Sequence, residues 1–486
     1  MSNIANINLL TQAAAAAANS KLVGEAFSRL LMVSSTTKDV FGQMEGPEGS
    51  RRPFITKTDL SKGRANTVNF SVSANAGHMP RRGEAKLQGM EEKLRMNSFS
   101  VKVDIVRHAI GLNEKVKQFL AAGLSLEEAY QEILSDHLGR FKETDMKMAL
   151  RNKATEANTI RPNNKASLDE LVTADVVNTS VLGEGLGNLT MLGAKEISVS
   201  KSKVGADVLR FLFFGTVNGL NPLKTNSQYL AAAQTAGIRG DTNTIFSGGF
   251  VDWDGQGIFA QNIVDPDAEG PIGDPLEPRA LLGTAITAGS ANVTITGGGL
   301  SGPAAEALYF RWFYGFDYPW IEGQTADPDS GEYYFIIYNT TGADRGKFGV
   351  YKYVGTDNDG QEIITTLRLG ATDAGDQVSE LAGQTWNASI HTNAHPIGSM
   401  IVQVNAKCVP VCDIYGLGVA SGLRAYGAIP MQKIEQVEDY GFDKGMGYLS
   451  IFGQDIAKDT NNQPRHYTRI QCAYKVPGLS LPVVTD

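Results

Sequence analysis

Four residues in the last third of the chain have the types and spacing of a metal site. His391, His395, Cys408 and Cys412 read H-x3-H-x12-C-x3-C, a zinc-ligand pattern in reverse order, and imidazole and thiolate are the donors that tetrahedral zinc takes. Their surroundings argue against it. MIVQVNAKCVPVC has the composition of a strand, and residues four apart on a strand stand ~13 Å apart, too far to share an ion unless Pro410 makes a sharp turn. GGGLSG (Gly297 to Gly302) has the glycine spacing of a dinucleotide loop, follows ANVTIT and precedes PAAEALYFRWF. Such a loop also needs a parallel strand–helix–strand unit and an acid at the end of the next strand. Here the next strand lies among Gly- and Asp-rich residues that suit antiparallel hairpins. DPDAEG (Asp265 to Gly270) opens like a calcium loop, with acids at positions 1, 3 and 5 and glycine at 6, but Leu276 stands at position 12 where glutamate is needed. A solvated acidic turn is the ordinary reading. There is no G-x-S-x-G and no P-loop, and the six histidines are scattered. The expectation is a protein that is not an enzyme, with no catalytic residues, no metal and no cofactor.

The totals say what must position these residues. At 486 residues the chain suggests about three structural units at roughly 150 residues each. It is 42% hydrophobic and 20% charged, with 53 glycines, a globular composition tilted toward turns and β-structure. The formal charge of -8 argues against a protein whose main work is gripping phosphates. Cys408, Cys412 and Cys472 are too few for a disulfide framework, so reduced thiols in a cytoplasmic setting are expected. The apolar start LLTQAAAAAA has no basic residue before it and reads as a helix rather than an export signal. No run approaches the ~20 apolar residues needed to span a bilayer, so no membrane role is expected.

Along the chain, helix is expected from Leu9 to about Leu31, followed by a linker. Val68, Phe70, Val72 and Ala74 alternate with polar residues as a half-buried strand does. The returning strand places Leu94 and Met96 on even numbers and Phe99, Val101, Val103 and Ile105 on odd ones. That change of phase predicts a bulge or bend near Asn97 and Ser98. Ser125 and Glu128 form a capping box before Tyr130, Ile133, Leu134, Leu138, Phe141 and Met148 at helical spacing, which predicts a helix to about Lys153. His137 falls on its apolar face as a packing residue rather than a ligand. Ser167 and Glu170 predict another capped helix, VLRFLFFG a buried strand, and QYLAAAQTAG a short helix. From about Ala288 to His395, ANVTIT, EYYFIIYN, FGVYKYVG and EIITTLRLG read as strands of a β-rich module. Ile470, Cys472, Tyr474 and Val476 alternate in a closing strand.

Between the first two strands lies GHMPRRGEAKLQGMEEKLRM (77–96). Arg81, Arg82, Glu84, Lys86, Glu91, Glu92, Lys93 and Arg95 give this hairpin tip too little apolar surface to fold on its own core. Mixed charge with Gly77, Pro80, Gly83 and Gly89 suits a projection that docks on another subunit, where charges fix register more than they add affinity.

These residues also carry a resemblance. FITKTDLSKGRANTVNFSV followed by the tip and NSFSVKVDIVRHAIG is similar to the front of the phage N4 gp56-like major capsid proteins. So are FLFFGTVNGLNPL through NTIFSGGFVDWDGQGIF to PRALLG, and the tail with AYG and EDYGFDKGMGYLSIFGQDIAK. Together they cover about half the chain, in order. The resemblance implies an α+β chain with the HK97-like capsid fold of tailed phages. Its parts would be an N-terminal arm (1–55), an E-loop hairpin region (56–111), a long spine helix in the peripheral domain (112–160), peripheral and axial segments (161–287), and axial domain with closing strands (396–486). The stretch 288–395 exceeds the family pattern and is expected to be a β-rich insertion domain. The resemblance further implies self-assembly into hexamers and pentamers of an icosahedral virion shell. Scaffold, portal and decoration or cement proteins would be partners. Double-stranded DNA would be enclosed without sequence-specific binding, and assembly would take place in the host cytoplasm. In a different class stands a phage-associated carbohydrate-binding or hydrolysing protein, motivated by Trp312, Tyr314, Tyr318 and Trp320.

Overall fold

The computed structural model describes residues 41–58, 67–73, 96–113, 126–197, 199–200, 208–235, 253, 256–261, 279–281, 292–295, 334–340, 344–356, 365–369, 394–396, 399–405, 407–427, 432–438, 443–458, 463–476 and 478–479. They divide into two units, Met1–Ala149 with Val419–Pro464, and Leu150–Gly418 with Arg465–Asp486.

The elements begin with β1 (Glu45–Pro47), β2 (Phe54–Lys57), β3 (Thr67–Ser73), β4 (Met96–Lys102), β5 (Asp104–Asn113) and α1 (Leu126–Asn152). Next come β6 (Thr159–Ile160), α2 (Thr179–Met191), β7 (Val199–Ser200), β8 (Val208–Leu209), β9 (Phe211–Thr216), α3 (Val217–Leu220), α4 (Ser227–Thr235) and β10 (Gln256–Gln261). A strand-rich stretch holds β11 (Arg279–Leu281), β12 (Asn292–Ile295), β13 (Tyr334–Tyr338), β14 (Phe348–Thr356), β15 (Thr365–Leu369) and β16 (Met400–Val404). The chain closes with β17 (Val411–Leu417), β18 (Gly422–Tyr426), β19 (Gln432–Glu438), β20 (Asp443–Ile456) and β21 (Tyr467–Ala473).

In the first unit a sheet runs β1-β2-β18-β20-β19, with β5 also paired to β20. The β3–β4 hairpin is antiparallel and its register is unbroken from Thr67↔Lys102 to Ser73↔Met96. The bulge expected near Asn97 and Ser98 is therefore absent. The interruption falls at Val103, between β4 and β5, because there the chain leaves its hairpin partner for β20. Val101 and Val103 are buried, whereas Ile105 is 58% exposed. Val68, Phe70, Val101 and Val103 bury the hairpin's base against Ile55, Leu423 and Ala425 of the sheet. This approach depends on Gly453, where a Cβ would stand 1.9 Å from the Lys102 carbonyl oxygen.

Helix α1 has 27 residues and is about 40 Å long at 1.5 Å per residue. Leu134, Leu138, Met146 and Met148 are buried as their spacing requires, but Ile133 is 52% exposed. Ser125, its expected cap, lies outside the described residues.

The second unit is built on the sheet β10-β9-β17-β21-β6 and the sheet β11-β16-β13-β14-β15-β12. β9 is buried at every residue, as its unbroken apolar run predicts, between parallel β10 and antiparallel β17. β21 is likewise buried along most of its length, so its alternation is a feature of the sequence more than of its burial. The second sheet is antiparallel throughout. Ile336, Tyr338, Val402 and Val404 from it share one core with Phe213, Ile414 and Ile470.

The helix expected after Ser167 is a single 3-10 turn, Leu168–Glu170, and Leu171 is already extended. The Glu170 carboxylate accepts from the Ala166 N–H at 2.8 Å, one residue before the expected cap, so it closes a turn instead of opening a helix. The true helix is α2, capped by Asn178, whose side chain accepts from the Val181 N–H at 2.9 Å. Gly183, Gly185 and Gly187 hide it from propensity, since each costs a helix about 1 kcal/mol against alanine. Gly185 has a packing reason: a Cβ there would stand 3.0 Å from the Phe213 ring and 3.1 Å from Ile470.

Candidate functional site

Arg81, Arg82, Glu84, Lys86, Glu91, Glu92, Lys93 and Arg95 lie outside the described residues, as do the expected N-terminal helix, GGGLSG, DPDAEG and Trp312, Tyr314, Tyr318 and Trp320. What is described is the base that carries the tip: paired strand ends at Ser73 and Met96, and the helix and sheet of the same unit.

That base is fastened by buried charge. Arg424, 1% exposed, donates through Nε to Gln454 Oε1 at 2.9 Å and through Nη1 to Glu45 Oε1. Thr56 Oγ1 donates to the other Glu45 oxygen at 2.9 Å. Gln454 Nε2 donates to the Lys142 carbonyl at 2.9 Å and to Asp145 Oδ2 at 2.8 Å. One network thus ties α1 to β1, β2, β18 and β20. Lys142, also buried, holds its ammonium 5.2 Å from the Tyr426 ring centre and 5.9 Å from that of Phe452, a cation–π arrangement strengthened by desolvation. Lys147 donates to Glu143 at 2.6 Å one turn earlier, the favourable order on a helix. No spacing in the sequence announces the Arg424–Glu45 pair, whose members are 379 positions apart.

His137 packs, as expected, and in a defined way. Its ring stacks on His108 of β5 with centroids 4.0 Å apart and planes at 9°, and its Nδ1 is 3.0 Å from the Tyr448 hydroxyl of β20. Both histidines keep an exposed edge. Desolvation first, then the His108 and Arg140 charges, hold the His137 pKa below its ordinary value, and desolvation lowers that of His108. The pair is neutral near pH 7, and burial keeps the Tyr448 phenol protonated. This is a latch between α1, β5 and β20.

The zinc-like set does not converge among the described residues. His391 lies outside them. His395 Nδ1 pairs with Asn339 Oδ1 at 2.8 Å, and Ser399 Oγ donates to the same oxygen at 3.1 Å, making a buried neutral knot. The segment read as one strand is β16 and β17 joined by a tight turn. Asn405 Oδ1 accepts from the N–H groups of Lys407 and Val409 at 3.1 and 2.9 Å, and Cys408 adopts φ 60°, so these residues rather than Pro410 make the turn. Burial pushes the Cys408 thiol far up. No group of three or more His, Cys, Asp or Glu placed to hold an ion occurs among the described residues.

In the second unit, Asp413 collects Arg469 at 2.7 Å, Tyr415 at 3.4 Å and Arg151 at 4.0 Å. An open groove of about 650 Å³ lies beside α2, lined by Glu156, Arg161, Lys165, Glu184, Asn188 and Met191 among others. Arg161 is committed within its own unit. It donates to both Glu156 oxygens at 2.9 Å, to the Ala166 carbonyl at 2.7 Å and to Gln471 at 2.9 Å. The hydrogen bond from Arg161 holds the Glu156 carboxyl below its usual range. No helix among the described residues is long and apolar enough to cross a membrane.

A β-hairpin packed on a charged helix-and-sheet base, with a second unit of two sheets, is the HK97-like fold seen in tailed-phage capsids. The chain is similar to the solved capsid of Ralstonia phage GP4, with TM-score 0.52 and 13% identity over 91% of this chain and 93% of that one. It is also similar to the capsid asymmetric unit of cyanophage Pam1, with TM-score 0.50 and 12% identity over 90% of this chain and 93% of that one. No family model matches, and no curated protein matches. At these identities the likeness is one of fold.

Proposed function

We propose that this chain is a tailed-phage major capsid protein of the N4 gp56-like kind. Many copies associate as hexamers and pentamers and close into an icosahedral shell around double-stranded DNA. The observation that carries the reading is the fold likeness to two phage capsids over nine-tenths of the chain. In this reading 1–55 is the N-terminal arm, 56–111 the E-loop region, 112–160 the spine helix and its flanks, 161–287 peripheral and axial segments, 288–395 an insertion domain, and 396–486 the axial domain with closing strands. The tip from Arg81 to Arg95 lies over a neighbouring copy and sets its register by charge. Large repeated interfaces supply the affinity while single contacts stay weak enough for correction. Scaffold, portal and cement proteins are its partners, host cytoplasm the place of assembly and the virion its destination. With a net charge of -8, the shell encloses DNA without gripping it.

Electron microscopy of the purified chain, alone and co-expressed with its scaffold, tests this. Closed shells or capsomer rings are expected. Monomers under both conditions would count against it, and glycan binding by such monomers would restore the carbohydrate reading, which the capsid fold otherwise leaves without support.

A further inference from the structure

Cys412 and Cys472 face each other across the β17–β21 ladder. They are directly opposed in the antiparallel register, and their sulfurs are 3.5 Å apart although the residues are 60 positions apart in sequence. Both are buried in the core of the second unit. Directly opposed antiparallel residues have Cα atoms about 4.5–5.5 Å apart, inside the roughly 4.4–6.8 Å that a disulfide spans. Closing the sulfurs to about 2.05 Å therefore asks for side-chain rotation and not for a change of register. Cys412 Sγ also lies 2.8 Å from where a Cβ on Gly219 would be, so the glycine makes the room in which this sulfur sits.

We propose that Cys412 and Cys472 are a modification site, a dithiol that a peroxide converts to a cross-strand disulfide. The first thiol, as thiolate, attacks one oxygen of hydrogen peroxide. The O–O bond breaks, a sulfenic acid forms and hydroxide takes up the released proton as water. The second sulfur then attacks the sulfenic sulfur, the S–S bond forms and the sulfenic oxygen leaves as a second water. Two cysteines lose two electrons in all, and one peroxide gains them. Access requires local opening. The Val411↔Ala473 end of the ladder is one register step away and is itself buried, so peroxide, little larger than water, reaches the pair through local opening of the strands. Cys408, in its own buried turn, remains a thiol. The chain is made reduced and gains the bond when it meets an oxidant, which ties β17 to β21 whether or not the chain assembles into shells.

The test uses the full-length folded chain, treated with hydrogen peroxide, then denatured, alkylated and mapped by peptide mass. The expected product has lost two hydrogens, links the Cys412 and Cys472 peptides and carries an alkylated Cys408. The unfolding equilibrium constant should fall roughly ten- to a thousandfold and return on treatment of the same sample with dithiothreitol, a control that needs no variant. Cys472→Ser should abolish both the link and the stabilisation. Three alkylated cysteines, over-oxidised Cys412 or Cys472 without a link, or a bond that includes Cys408 would overturn the proposal.

Discussion

Each unit packs a helix on a sheet, and the two differ in what they add to apolar contact. In the first, α1 meets its sheet through Phe141 against Phe452 and also through a polar network of Arg424, Glu45, Gln454, Asp145 and Lys142, whose charges are tolerable when desolvated only while every partner is present. In the second, α2 lies on its sheet through Val181, Leu182 and Leu189 packed with Phe213 and Ile470, and Gly185 leaves room for the Phe213 and Ile470 side chains. Where that unit does bury polar groups beside its second sheet, at Asn339, His395 and Ser399, they are held neutral. The difference teaches that a charged clamp specifies one geometry and fails when a partner is removed, whereas an apolar contact depends on volume and degrades in proportion to misfit.

The sharpest way to break the contrast is Glu45→Ala. It leaves Arg424 buried beside a missing carboxylate and should cost about 3–5 kcal/mol in denaturant unfolding. Replacing the pair together, with Arg424→Met and Glu45→Leu, should recover much of that loss. If the double variant is as unstable as the single one, the network is not a coupled unit.

The neutral knot should respond to pH. Burial holds the His395 pKa at about 4, below its unfolded value. Above about pH 6.5 both states are neutral and stability is full. Between about 6.5 and 4 the unfolded state binds the proton that the folded state refuses, so stability falls as the pH falls, by about 3 kcal/mol in total, and levels off below 4. Unfolding measured at several pH values in wild type and His395→Gln should show this slope reduced in the variant.

The apolar contact should lose least. Gly185→Val places a side chain against Phe213 and Ile470 and should cost about 1–3 kcal/mol by thermal or denaturant unfolding. No loss would mean that the helix stands farther from the sheet than its packing implies.

Much of this fold was legible in the sequence, and the gaps have physical causes. β9 announced itself by an unbroken apolar run, and α1 by Leu134, Leu138 and Met148 at helical spacing. The same pattern would place Lys142, Glu143 and Lys147 in solvent, yet all three are buried, because their partners arrive from elsewhere in the chain or from the next turn. α2 was missed because it carries three glycines, which local propensity reads as breakers, though only Gly185 is demanded by packing. The change of apolar phase after Met96 suggested a bulge, but the hairpin register runs unbroken through it, and the ladder is interrupted only at Val103, where β4 gives way to β5. The opposed cysteines needed the pairing of β17 with β21, which spacing alone does not reveal. The charged tip is read from composition alone and lies outside the described residues.

The tip is therefore where the account is tested most directly. Reversing Glu91→Lys and Glu92→Lys together and following assembly by sedimentation velocity and electron microscopy, with circular dichroism on the same samples, isolates its contribution. The capsid account predicts a folded chain whose yield of closed shells falls at least tenfold. Shells formed at the wild-type yield, with the fold intact, would contradict the claim that these charges register neighbouring copies.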